Sequence, residues 1–89
     1  MKLRPPSPLT MQAIEAEVTA ARLKFPGNKT QLAALTEEVG ELAQALLDLE
    51  RGETDADHVQ KEAIQVAAMA IRVLEEGDSS FPAYPPTEV

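Results

Sequence analysis

The segment between Asp55 and Gly77 constrains the fold most, because it is apolar around more than half of a helix. Val59, Ala63, Val66, Ala67, Ala70, Ile71, Val73 and Leu74 recur at helical steps, and at about 100° per residue they cover well over half the circumference. A helix with so wide an apolar arc must be covered on more than one side. The whole chain has 89 residues, which allows one domain and few other helices to do the covering. It contains no cysteine and one histidine, so neither a disulfide framework nor a Cys- or His-rich metal site can staple a small core. Oligomerisation is the remaining common device.

The other elements follow from punctuation and period. Ser7-Pro8 is an N-cap followed by a first-turn proline, and Met11, Ile14, Val18, Ala21 and Phe25 form one stripe that Pro26-Gly27 ends. A second helix is expected after Asn28, where Asn28 and Gln31 have capping-box spacing. Its stripe is Leu32, Leu35, Val39, Leu42, Leu46 and Leu49, and Gly52 stops it. The third opens near Thr54 or Asp55, with acids in its first turn, and closes at Gly77. No alternating strand pattern or internal repeat is present. The expectation is an all-α domain: an antiparallel bundle of about three helices per chain, completed by oligomerisation. The ordered core is placed at about 8–77, and the proline-rich ends, 1–7 and 79–89, are expected to be extended or flexible.

Charge narrows the partners. Fifteen acidic and eight basic residues give a net charge of −7, with no basic patch to neutralise a long nucleic acid. A small nucleotide is compatible with an acidic surface, since a bound cation reverses the local sign. No apolar run approaches the roughly 20 residues of a membrane span, and the first residues lack the apolar core of a signal peptide. A cytoplasmic location is expected.

The residues with chemistry are acids. With Leu35 as the centre of the second stripe, Glu38 lies about 60° away and Glu41 about 120° away on the same flank. Glu37 points to the opposite side, and Asp48 returns close to the Glu41 direction. On the third helix Glu62 and Gln65 are three apart at the edge of the apolar arc, with His58, Met69 and Arg72 on the same side. Packing the two stripes together could bring Glu38, Glu41, Glu62 and Gln65 face to face, as a hard-oxygen set suited to Mg²⁺ or Mn²⁺. By spacing alone, a Glu-x-x-Glu pair more commonly marks a solvated face. Likewise His58 reads as a surface residue of a first turn, Met69 as core packing, and Lys61 and Arg72 as surface charges.

The stretch Leu35-Thr36-Glu37-Glu38-Val39-Gly40-Glu41-Leu42-Ala43-Gln44-Ala45 closely resembles the first motif of the MazG-like, all-α nucleoside triphosphate pyrophosphohydrolases. That family pairs Glu-x-x-Glu with a later Glu-x-x-Asp. Glu38, Glu41 and Glu62 match three of the four acids, and Phe25-Pro26-Gly27-Asn28 looks like the segment leading into the motif helix. The resemblance covers about residues 20–77, and Gly40 within the motif is expected to permit close helix packing. It implies catalytic Glu38, Glu41 and Glu62, a metal set of those three with Gln65, and a Mg²⁺ cofactor that Mn²⁺ could replace. The implied substrate is a nucleoside triphosphate, non-canonical or in excess, cleaved to the monophosphate and pyrophosphate. Met69 is expected against the base and Arg72 at a phosphate or sugar. The implied assembly is a homodimer or homotetramer. The sequence departs from the pattern at Gln65, where the family has Asp. That amide brings a carbonyl oxygen without a charge, so a non-hydrolysing nucleotide sensor or partner-binding module is the alternative.

Overall fold

Residues 3–86 are described by a computed structural model, which forms three α-helices: α1 (Pro8–Lys24), α2 (Gln31–Glu50) and α3 (Ala56–Glu76). Among the described residues there is no strand, and no helix is long and apolar enough to cross a membrane.

Most helix ends sit where local chemistry puts them. The Ser7 hydroxyl accepts from the Thr10 amide and Pro8 occupies the first helical position. Asp55 caps α3 by accepting from the His58 amide. Gly52 and Gly77 take the left-handed φ values of 74° and 68° that end α2 and α3. At Gly77 a β-carbon would also lie 2.9 Å from the Tyr84 carbonyl oxygen, so only glycine fits that turn.

The start of α2 departs from the expected capping box. Thr30 stands at the N-cap in the left-handed region, with φ 56°, and gives no side-chain cap. The cap comes instead from beyond α3: Asp78 Oδ2 accepts from the Leu32 amide at 2.8 Å. Asn28 and Gln31, the two residues of the expected box, turn to the end of α3. Asn28 Nδ2 donates to the Glu76 carbonyl at 2.8 Å, and Gln31 Nε2 donates to Glu76 Oε1 at 3.3 Å. A capping box uses only groups of its own turn, whereas here a nearer set of acceptors lies across the helix interface.

The chain after α3 is also more ordered than its prolines imply. The Ser79 amide donates to the Asn28 carbonyl, Phe81 to Asp78, and Tyr84 to Phe81. The Tyr84 hydroxyl donates to the Leu74 carbonyl at 3.0 Å. The tail from 79, expected to be extended or flexible, is thus bonded back onto the bundle as far as Tyr84. Residues 87–89 and 1–2, which the same expectation covered, lie outside the described residues.

α3 packs against both α2 and α1, while α1 and α2 do not pack on each other. This leaves a cleft between α1 and α2 with α3 as its floor. Only Val18, Ala45 and Ala68 form the buried hydrophobic core among the described residues. The radius of gyration is 14.5 Å, above the roughly 12 Å of a compact chain this long. The buried face of α2 is centred near Glu38, with Gln31 and Ala45 buried and Leu35, Leu42 and Asp48 half-buried. That is a rotation of about 60° away from Leu35. It leaves Leu32, Val39 and Leu46 about half exposed, at 47, 48 and 51%. On α3, Ala63, Ala70 and Leu74 are the uncovered part of the apolar arc.

Candidate metal centre

Rotation of α2 brings the motif acids against α3. One carboxylate oxygen each from Glu38, Glu41 and Glu62 lies within 4.8 Å of the others. Glu38 and Glu62 are half-buried and Glu41 is exposed, so the cluster opens to solvent on the Glu41 side. The amide of Gln65 completes it. With its NH₂ turned inward, Gln65 donates to Glu38 Oε2 at 3.1 Å and to Glu62 Oε2 at 3.0 Å. Oxygen and nitrogen of such an amide are assigned by their hydrogen bonds, and here both inward neighbours are acceptors. All four residues that the sequence singles out for a metal thus meet at one point.

Gathering acids has an electrostatic cost, and it falls on Glu38. Burial, together with the neighbouring Glu41 and Glu62 carboxylates, pushes its carboxyl up to about 7. Three carboxylates and one amide oxygen are the donor set that hard divalent cations take.

His58 contributes from the first turn of α3. Its ring lies half-exposed between Thr54, whose hydroxyl is 2.9 Å from Nδ1, and Glu62, whose Oε1 is 3.5 Å from Nε2. If the hydroxyl donates to Nδ1, the Nε2–H faces the carboxylate. The residue is on the surface, as expected of a first turn, yet it borders the cluster. Asp48 is two turns from the cluster by position and accepts from Gln44 Nε2 at 2.8 Å.

The α1–α2 cleft runs beside the acids. Its cavity of about 390 Å³ is lined by Lys24 and Phe25 at the end of α1, by Glu38, Gln65 and Met69, and by alanines of α1 and α3. Met69 therefore borders the same opening as the cluster. Sequence reasoning missed Lys24, whose ammonium lies 5.3 Å from the Phe25 ring centroid, and read Phe25 as part of the apolar stripe of α1, where it is mostly exposed. Neither residue carries a local signal, because the gap between α1 and α2 is a tertiary feature.

Arg72 is neither a surface charge nor turned toward this opening. It is 2% exposed. Its guanidinium donates to both carboxylate oxygens of Glu76, at 3.0 and 2.9 Å, and to the Phe25 and Gly27 carbonyls, each at 2.9 Å. A weaker bond of 3.4 Å reaches the Ala21 carbonyl. With its donors so engaged, Arg72 ties the end of α1 to α3, and the expectation of a phosphate or sugar contact is corrected. Arg22 adds bonds to Glu75 and Glu76 at 2.6 and 2.8 Å. Gly40 is a further correction: nothing lies within 4 Å of a β-carbon built there, so within the chain it serves no close helix contact.

Compared with protein-family models, with curated proteins and with solved structures, the chain finds no match, and the chemistry of this centre has to be argued from its geometry and from the motif itself.

Proposed function

We propose that the chain is a Mg²⁺-dependent nucleoside triphosphate pyrophosphohydrolase of the MazG-like kind. The observation that supports this most is the convergence of Glu38, Glu41 and Glu62 to within 4.8 Å, from two helices and from the positions the motif names. In this reading the three carboxylates and the Gln65 oxygen hold the cation. When bound, Mg²⁺ would neutralise triphosphate charge and lower the barrier to attack by water at the α-phosphorus. The chain's own part is to bind and orient. Met69 and Phe25 offer an apolar wall for a base, Lys24 offers a cation for a phosphate oxygen, and Glu41 faces the solvent from which the water comes.

The same reading takes α2 and α3 as an antiparallel pair whose outer face meets a second subunit, in a homodimer or homotetramer. Leu32, Leu35, Val39, Leu42, Leu46 and Leu49 follow a three-four repeat along α2, the spacing that lets one helix seam pack against another. Leu32, Val39 and Leu46 are the half-exposed members that such a contact would cover. Sedimentation equilibrium at micromolar concentration that finds only a 9.6 kDa species would overturn the assembly.

The activity is tested by a screen of canonical and modified nucleoside triphosphates with Mg²⁺, reading pyrophosphate release. Turnover that is lost in Glu41→Gln and Glu62→Gln is the expected result. Gln65, an amide where the motif has an acid, favours a second reading: a relative that binds nucleotides and does not hydrolyse them. Saturable nucleotide binding with no pyrophosphate from any substrate would establish it in place of the first.

A further inference from the structure

The Gln65 amide has two faces, and the cluster can use only one at a time. Its NH₂, turned inward, bridges Glu38 Oε2 on α2 and Glu62 Oε2 on α3 at 3.1 and 3.0 Å. Its oxygen, turned inward, is the group that a cation would need. The two arrangements differ by a half-turn of the terminal amide and exclude each other. A carboxylate at position 65 has no such choice, because it can only accept and so adds repulsion until a cation arrives. Charge-assisted hydrogen bonds are among the stronger ones, and the amide makes two of them from a single group across the interface between two helices.

We propose that Gln65 is a built-in competitor of the metal ion: its amide holds Glu38 and Glu62 together while the centre is empty, and must turn over to admit a divalent cation. The inference rests on the reading of this centre as a metal site. Its consequence is a centre that stays folded without metal and fills only when the free cation is plentiful. An acid at the same position would give a centre that is poorly stable when empty and tightly filled.

The test uses the full chain with Gln65→Glu, which keeps the size and shape of the side chain, and Gln65→Leu, which removes both faces. In EDTA, the NMR side-chain amide pair that disappears in Gln65→Glu should show hydrogen-bonded shifts and slowed exchange. It should move to free-glutamine values as Mg²⁺ is added. In EDTA both variants should melt below wild type, with Gln65→Glu the lower. By calorimetry with Mn²⁺, Gln65→Glu should bind at least about tenfold more tightly, since it gains a charge beside the ion and loses no bridge. An ordinary free-glutamine signal in EDTA, or Gln65→Glu melting at or above wild type there, overturns the bridge whatever the metal does. Wild type that binds Mn²⁺ as tightly as Gln65→Glu overturns the competition and leaves the metal reading standing. If neither protein binds Mn²⁺ or Mg²⁺, the metal reading fails, and the competition fails with it.

Discussion

Two polar clusters join α2 to the rest of the bundle, and they are built on opposite principles. At one end, Arg72, Glu76, Arg22, Asn28, Gln31 and Asp78 answer one another: each charge has a counter-charge or a backbone partner, and no buried side-chain polar atom among the described residues lacks a bond. About two turns along α2, Glu38, Glu41 and Glu62 face like charges, with the Gln65 amide between them and the His58 ring at the Glu62 edge. The first cluster consumes its charges in holding the fold, whereas the second keeps an excess of negative charge open to solvent. A set of charges that is complete within the chain has nothing left to offer a ligand. The incomplete set is where function is to be sought, whereas the guanidinium of Arg72, about three turns beyond Glu62 on α3, is used up within the fold.

The comparison breaks most severely at Arg72. Arg72→Met removes a buried cation that holds Glu76 and the carbonyls at the end of α1, and is expected to destabilise the fold by about 3–5 kcal/mol, a large part of the stability of so small a domain. Urea denaturation measures it. A loss no larger than that of an exposed charge would mean that the end cluster does not hold the fold.

The second prediction is made at the acids. A cation that binds the folded chain stabilises it by mass action, by about 2.7 kcal/mol at a hundred times the dissociation constant. Melting temperature should rise with millimolar Mg²⁺ or Mn²⁺ in wild type, and much less in Glu41→Gln and Glu62→Gln. Arg22→Ala, at the other cluster, should lower the starting temperature and leave the metal-induced rise intact. A flat metal titration of wild type would remove the contrast between the two regions.

A smaller effect is expected at Asp78. Its carboxylate accepts from the Leu32 and Ser80 amides, and Asp78→Ala leaves the start of α2 without its distant cap. Thermal melting should fall by a few degrees, with the helix otherwise retained in circular dichroism. An unchanged melting temperature would assign the start of α2 to Gln31 and Asn28 alone.

The smallest effect is in pH, and it separates the clusters by sign. Glu38 is raised from 4.5 to about 7 in the folded chain. The folded state thus holds its proton more tightly than the unfolded state, and that stabilisation is lost as pH rises from 4.5 through 7. Glu76, bonded by Arg72 and Arg22, and Asp78, bonded by backbone amides, are both lowered. Their contribution is present at neutral pH and is lost as pH falls through the acid range. The metal-free protein should therefore be most stable near pH 5 and slightly less stable at neutral pH. Solvent access at the acids keeps the decline modest. Glu38→Gln or saturating Mg²⁺ should abolish the neutral decline and leave the acid one. A neutral decline that persists in Glu38→Gln would place its cause elsewhere.

What the sequence alone determined was local. Ser7-Pro8, Asp55, Gly52 and Gly77 mark helix ends because capping and left-handed turns involve only neighbouring residues. Spacing put Glu38 with Glu41, and Glu62 with Gln65, on shared helix sides, because residues three apart share a side in any context, while it was the resemblance of the motif that singled these residues out as a site. The tertiary structure decided the rest. A helix's rotation about its axis is set by what it packs against, and α2 turns about 60° so that Glu38, not Leu35, lies near the middle of its covered face. Arg72 reads as an exposed charge in a helical pattern, and is buried because Glu76 and the carbonyls at the end of α1 surround it. The proline-rich tail is held as far as Tyr84 by acceptors on α3 and on the loop before α2, and neither its composition nor its spacing contains those partners.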